Sequence, residues 1–341
     1  MSGPKPSDPA VAAGSNFPEP AMLETIPVPT GTRDVLPEEM AELRAISTQV
    51  GAVFAAAGYG EVATPALEFE ETVRIGAPGS AGAVYRVPDS DGKVLVLRFD
   101  STIPIARLAA TRYHDVDPPL RFCYLQHVYR PVQPKRAQSR EFLQIGMELM
   151  GLPAPAGDAE AITLLVKVLE AAGLGDFRIA VGDVGFFTSK LDEAGADGDS
   201  RETILHELST RDIVGLERQL RACDAVSEDA RGRLLEIASS RGGREMIELE
   251  GADRLVALDD LLQAEGIADK VIYDLGLVRS LSYYTGTVLE IYAPSSGFPI
   301  GGGGRYDDLV ARFGRDLTAF GFALNMERLH LAVLAEQEAS S

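Results

Sequence analysis

Residues 121–151, RFCYLQHVYRPVQPKRAQSREFLQIGMELMG, decide the fold of this chain: they divide into strand, loop and strand, and the loop opens on Arg130 with Pro131 and Val132 behind it. Upstream, KVLVLRFD at 93–100 reads as a buried strand, because its apolar residues are β-branched or Leu and the run is short. DSTIPIARLAATRY then starts a helix. Further back, TGTRDVLPEEM places Pro37 in a first helical turn, with Glu38 and Glu39 beside the positive end of the helix dipole. Apolar residues recur at Met40, Leu43, Ile46, Val50, Val53, Phe54 and Ala57, close to the helical period, and Gly58 ends the run. GYGEVATPALEFEET, which follows, reads as a strand broken at Pro65.

Downstream, the pattern predicts a helix capped by Asp158 and stopped by Gly173, then a strand FRIAVGDV at 177–184. From about 186 to 269, charged helical sequence such as RETILHELSTRDIVGLERQLRAC replaces the strands. This predicts an inserted, mainly helical subdomain, either a partner-docking surface or a solvated cap, within a core formed by 27–185 and 270–335. Strands resume with KVIYDLG and TVLEIYAP. After the glycines Gly301 to Gly304, a helix is expected over 307–313 with Asp307 and Asp308 as its caps, then a strand over 319–324 and a last helix from Met326. Residues 1–26, rich in Pro, Ala, Gly and Ser, read as a disordered tail, and no internal repeat is found.

Composition bounds the function. With 51 acidic against 32 basic residues, a net charge of −19 and a pI near 4.7, the chain lacks a broad electrostatic footprint for nucleic acid. It has no apolar run long enough for an ordinary transmembrane helix. Its 2 cysteines and 4 histidines match no zinc spacing, so a reducing cytoplasm and no structural metal are expected. GGGGRYDD invites a phosphate-loop reading, but neither G-x-x-x-x-G-K-[ST] nor a strand-to-helix G-x-G-x-x-G is present. Ser–His–Asp, H-E-x-x-H and C-x-x-C signatures are likewise missing, which leaves nucleophilic and metal-assisted hydrolysis without support.

Four motifs, in order and at matching spacing, resemble the class II aminoacyl-tRNA synthetases in their histidyl version. The segment at 121–151 resembles the strand–loop–strand that holds ATP. GTRDVLPEEM with GYGEVATPALE resembles the dimer-forming first motif, LVRSLSYYTGTVLE at 277–290 the histidine-specific signature, and GGGGRYDDLV with GFALNMERL the third motif and its approach. The resemblance implies an α+β fold, an antiparallel sheet flanked by helices, with a helical insertion and no anticodon-binding domain after the third motif.

Carried over residue by residue, it implies an amino-acid pocket of Asp100, Thr102, Gln144, Glu148, Arg279, Tyr283 and Tyr284. The set suits histidine: carboxylates accept from an ammonium and an imidazole N–H, arginine pairs with a carboxylate, and an aromatic face packs on the ring. Asp100 stands where the synthetases have glutamate, Ser280 where they have glycine, and Ser282 where they have aspartate. Arg130 and Arg328 match the two arginines that clamp the triphosphate, and Arg140 is retained with them, either as structural ion-pair partners or as a vestigial anion or ATP site. Val132 replaces the glutamate that pairs with adenine, and Gln133 and Gln138 replace arginines. The glycine run is expected to let backbone pass close to the bound amino acid.

An altered ATP loop, an acidic balance and no anticodon-reading domain together resemble the regulatory subunits of ATP phosphoribosyltransferase. That resemblance implies a protein with no chemistry and no cofactor of its own, dimeric through the first motif and joined to a short-form catalytic subunit in a hetero-octamer. It would activate that subunit in the first step of histidine biosynthesis and confer feedback inhibition by histidine, bound in the inherited pocket or at a nearby subunit interface. Neither nucleic acid nor membrane is an expected partner. Two alternatives stand beside it: an enzyme that activates histidine or a related amino acid as its adenylate, and a scaffold with an empty pocket.

Overall fold

The computed structural model describes residues 27–78, 84–131, 139–278 and 283–340. The expected tail at 1–26, the loop positions Val132, Gln133 and Gln138, and the pocket positions Arg279, Ser280 and Ser282 lie outside the described residues.

Helix α1 (Pro37–Ala56) starts on Pro37 with Glu38 and Glu39 in its first turn, and Gly58 leaves it at φ +80°. Its apolar stripe buries Leu43, Ile46, Val50 and Phe54, whereas Met40 is exposed. Pro65 divides the next segment into β1 (Gly60–Glu61) and β2 (Leu67–Phe69), which join different sheets. After α2 (Glu70–Gly76), strands β3 (Arg86–Pro88) and β4 (Val94–Leu97) complete a three-stranded sheet with β4 in the middle. The expectation of a buried strand needs correction there: Val96 is fully buried but Val94, on the same face, is exposed, since β2 pairs with β4 only from Leu95 to Leu97 and leaves Val94 at the sheet's end beside Pro88 of β3. Helix α3 (Thr102–Arg112) follows.

The deciding segment forms β5 (Leu120–Tyr129) and β6 (Glu141–Met150), antiparallel over their whole length from Leu120 opposite Met150 to Tyr129 opposite Glu141. They sit in a sheet completed by α4 (Ala156–Ala171), which crosses to β7 (Arg178–Asp183), and then by β8 (Arg241–Gly242), β9 (Val271–Asp274), β10 (Thr287–Tyr292), β11 (Gly301–Arg305) and β12 (Ala319–Asn325). Among the described residues the sheet has nine strands in the order β1-β5-β6-β12-β11-β10-β7-β9-β8. All neighbours are antiparallel except β1 with β5 and β7 with β9. Gly173, at φ +89°, ends the helical stretch of α4, and α10 (Met326–Ser340) closes the described chain.

Between β7 and β9 the chain is mainly helical. Helices α5 (Val184–Glu193), α6 (Gly198–Ser209), α7 (Ile213–Ala222) and α8 (Glu228–Ser239) pack Phe187, Leu191, Ile204, Leu208, Leu216, Leu220 and Leu234 into a small core. Helix α9 (Asp253–Ala264) instead buries Leu255, Leu258 and Leu262 in the main core, beside α4.

Gly301 to Gly304 belong to β11. Two local expectations fail for one electrostatic reason: residues 307–313 hold only a 3₁₀ turn at Ala311–Phe313, and α4 starts behind Pro155 with Asp158 inside it. Arg305, 1 % exposed, is the cause. Its Nε donates to Asp158 Oδ1 at 2.7 Å, and its Nη1 donates to Asp307 Oδ1 at 2.8 Å. Thr287 Oγ1 donates to Asp158 Oδ2 at 2.7 Å, and the Ala319 amide to Asp307 Oδ1 at 3.0 Å. Both carboxylates are thus engaged by a buried guanidinium and cannot act as helix caps. Asp158→Ala would strand that charge, and should cost about 3–5 kcal/mol in urea unfolding. Replacing both partners together (Asp158→Leu with Arg305→Met) should cost less than the single change.

Candidate functional site

Side chains alternate between the two faces of a strand. In the register seen here, one face carries Cys123 and Leu125 of β5, Ile145, Met147 and Leu149 of β6, Phe320, Phe322 and Leu324 of β12, and Leu289 and Ile291 of β10. These residues meet α1, α4, α9 and α10 in the main core. The opposite face carries Tyr124 and Gln126, Gln144, Gly146 and Glu148, Gly321, Ala323 and Asn325, and Gly302 and Gly304. Small residues there leave a cavity of about 1220 Å³ between the sheet, the start of α3 and the N-terminal end of α1.

Five of the expected pocket residues line this cavity: Asp100, Thr102, Gln144, Tyr283 and Tyr284. Glu148 lies directly behind them, 1 % exposed. Its Oε1 accepts from Thr102 Oγ1 at 2.8 Å, and its Oε2 accepts from the Tyr306 hydroxyl. A methyl group at Gly321, opposite it in register, would overlap its carboxylate. Asp100 accepts from the Tyr283 hydroxyl at 3.2 Å and from the Ile103 amide at 3.2 Å, at the start of α3. The Tyr283 ring packs on Tyr284 at 4.9 Å between centroids and edge-on to Tyr306 at 5.8 Å. The carboxylates therefore sit behind an aromatic wall whose hydroxyls donate to them.

Burial dominates the titration here. It pushes the Glu148 carboxyl up to about 8; hydrogen bonds from Tyr306 and Thr102 oppose the rise and the nearby Asp100 charge adds to it. Burial also raises Asp100, against hydrogen bonds and the Arg130 charge, and holds Tyr124, Tyr283 and Tyr306 well above the usual phenol range. Without a cationic ligand, Glu148 carries a proton at neutral pH. Among the described residues the buried Gln144 Oε1 has no hydrogen-bond partner, which a donor on a ligand would satisfy.

The three retained arginines separate. Arg130 and Arg328 both line the cavity; Arg140 is not among its lining residues. Arg130 Nε donates to the Phe99 carbonyl at 3.0 Å, and its guanidinium lies 5.1 Å over the Phe142 ring. Arg328 donates to the Pro299 carbonyl at 2.8 Å and lies 5.5 Å over Phe298. Burial lowers the Arg328 pKa, and the Arg130 charge lowers it further, so an anion between the two would relieve mutual repulsion. The Arg140 amide donates to the Gly31 carbonyl at 2.7 Å, tying the hairpin to the segment before α1.

Sequence reasoning missed Tyr306 and Tyr124. Tyr306 stands inside GGGGRYDD, but that motif was read for its glycines and aspartates; Tyr124 is marked by its position on the Gln126 face of β5. Among the described residues no group of three or more His, Cys, Asp or Glu is placed to hold a metal ion, and no helix is long and apolar enough to cross a membrane.

The family model for histidyl-tRNA synthetase matches residues 31–329. The chain is 41 % identical to an ATP phosphoribosyltransferase regulatory subunit of Symbiobacterium thermophilum, over 89 % of this chain and 79 % of that protein. It is 40 % identical to one of Moorella thermoacetica, over 91 % of this chain and 83 % of the relative. A solved structure described as an ATP phosphoribosyltransferase regulatory subunit/histidyl-tRNA synthetase, from Bacillus halodurans, superposes with a TM-score of 0.84 at 33 % identity, covering 91 % of this chain and 83 % of the other. A histidine–tRNA ligase subunit from Alicyclobacillus acidocaldarius superposes with a TM-score of 0.78 at 31 % identity, covering 92 % and 98 %.

The raised carboxyl has a consequence for stability. Glu148 binds its proton more tightly folded (about 8) than at its ordinary 4.5, so its contribution is complete below pH 4.5 and is lost as pH rises through 8. Glu148→Gln should flatten the fall in urea stability between about pH 5 and 8, and carbon NMR of labelled glutamate in the wild-type chain should show one carboxyl titrating near 8.

Proposed function

The chain belongs to the histidyl-tRNA synthetase family, among the ATP phosphoribosyltransferase regulatory subunits, and we propose that it regulates histidine biosynthesis without chemistry of its own. In this reading it joins a short-form ATP phosphoribosyltransferase catalytic subunit in the cytoplasm, as a homodimer within a hetero-octamer. It activates that subunit and carries histidine as the feedback effector.

The observation that carries the reading is the pocket of Asp100, Thr102, Gln144 and the two adjacent tyrosines, with Glu148 buried behind Thr102, which suits a small cationic amino acid better than a macromolecule. The ammonium would sit against Asp100, the imidazole against the tyrosine wall with Glu148 at its N–H, and Arg279, by the family resemblance, would take the carboxylate. Feedback then requires only that histidine bind the active and inhibited assemblies with different affinity, because a ligand shifts an equilibrium by its differential affinity alone. The names of the relatives support the regulatory role.

A second reading, an enzyme that makes an amino-acid adenylate, is favoured by one feature. Arg130 and Arg328 face the same cavity, whose volume of about 1220 Å³ exceeds what a free amino acid fills. The replacement of the adenine-pairing glutamate by Val132 opposes it.

Four measurements test the proposal. Phosphoribosyl-ATP formation by a short catalytic subunit should rise strongly on adding this chain and fall again with histidine; no effect on a cognate subunit overturns the regulatory reading. Amino-acid-dependent exchange of pyrophosphate into ATP should be absent, and its presence would establish the second reading. Glu148→Ala and Arg279→Ala should abolish histidine inhibition, and its survival in both would place the sensor elsewhere. Histidine affinity should also rise between pH 6 and 8 as Glu148 loses its proton, and that slope should vanish in Glu148→Gln.

A further inference from the structure

The turn between α6 and α7 contains Arg211 at φ +58°, which makes it, among the described residues, the one residue other than glycine with positive φ. Glycine or asparagine is the ordinary occupant of such a position, since a Cβ crowds the backbone there. An arginine kept in that conformation points to its side chain.

The guanidinium leaves the helical segment and crosses to the sheet. Nη1 donates to Asp274 Oδ2 on β9 at 3.0 Å, and Nη2 donates to Glu290 Oε2 on β10 at 3.3 Å and to the Tyr292 hydroxyl at 3.4 Å. Tyr292 donates in turn to Glu290 Oε2 at 2.5 Å. Arg241, also from the segment between β7 and β9, reaches the same buried Asp274 Oδ2 at 2.9 Å. Glu290 lines the cavity, opposite Gly302 in register, whereas Arg211 does not. One side chain from the helical segment therefore holds a carboxylate of the cavity wall.

We propose that Arg211 is a positioning residue: it fixes the Glu290 carboxylate at the cavity wall and so couples the placement of α6 and α7 to what the cavity holds. The tether itself rests on this hydrogen-bond geometry; its link to histidine rests on the functional reading above. A cation or hydrogen-bond donor that engages Glu290 acts on the carboxylate that Arg211 and Tyr292 share. By linkage, any change in that contact on binding is returned as a change in affinity.

Hydrogen exchange of the full chain tests both parts. Arg211→Gly keeps the left-handed turn while removing the guanidinium, and Glu290→Gln keeps the shape while removing the charge. Each should speed exchange about threefold in peptides covering 205–216 and 286–293, the double variant should add nothing beyond the larger single effect, and Arg211→Lys should restore part of the protection. Additive effects, or no change in 205–216 on Glu290→Gln, overturn the tether. L-histidine should then alter exchange of 205–216 about twofold in the wild-type chain and leave it unaltered in Glu290→Gln. Histidine that binds without altering that peptide overturns the coupling. If the variants behave as expected while histidine does not bind, the tether stands and the histidine reading falls.

Discussion

Along β6 and β12, bulky apolar side chains alternate with glycine, alanine or a polar group, and a strand sends successive side chains to opposite faces. The bulky set, Ile145, Met147, Leu149, Phe320, Phe322 and Leu324, is buried against helices and supplies the main core. The small set leaves room on the other face. A single alternation thus builds the core and empties the cavity, and a slip of one residue in register would exchange the two. The glycines at 301–304 belong to this arrangement: they form a strand inside the sheet rather than a loop around a phosphate.

Charge is handled differently on the two faces. On the helix side, Arg305 and Asp158 are both buried, and their mutual hydrogen bonds offset the cost of removing them from water. On the cavity side, Asp100 and Glu148 are buried with, among the described residues, tyrosine and threonine donors rather than a guanidinium in hydrogen-bond contact. Hydroxyl donors compensate a carboxylate only in part, so Glu148 is driven to hold a proton. The difference marks which carboxylates hold the fold together and which stand ready for a cationic ligand.

The failures of the sequence reading share a cause. Asp158 before an apolar helical run and Asp307–Asp308 after a glycine run have the composition of caps. Capping is a contest between a local amide and any stronger partner, and Arg305, 2 residues from Asp307 but 147 residues from Asp158, wins it at both places. Nothing in the local pattern marks Arg305 as buried. The exposure of Val94 in β4 has a similar origin, because composition specifies a strand and not how far its neighbour β2 will run beside it.

What the sequence determined by itself was periodic or ordered: the stripe of α1, the paired strands around Arg130, the order of four motifs, and the five expected pocket residues that line the cavity. Those signals are local or depend on spacing along the chain. The tertiary structure alone decided that Tyr306 and Tyr124 join the carboxylates, that Arg140 parts from Arg130 and Arg328, and that Arg211 reaches Glu290 from 79 residues away. The partner of a buried charge is set by which elements the sheet order brings together, and distance along the chain carries no record of that order.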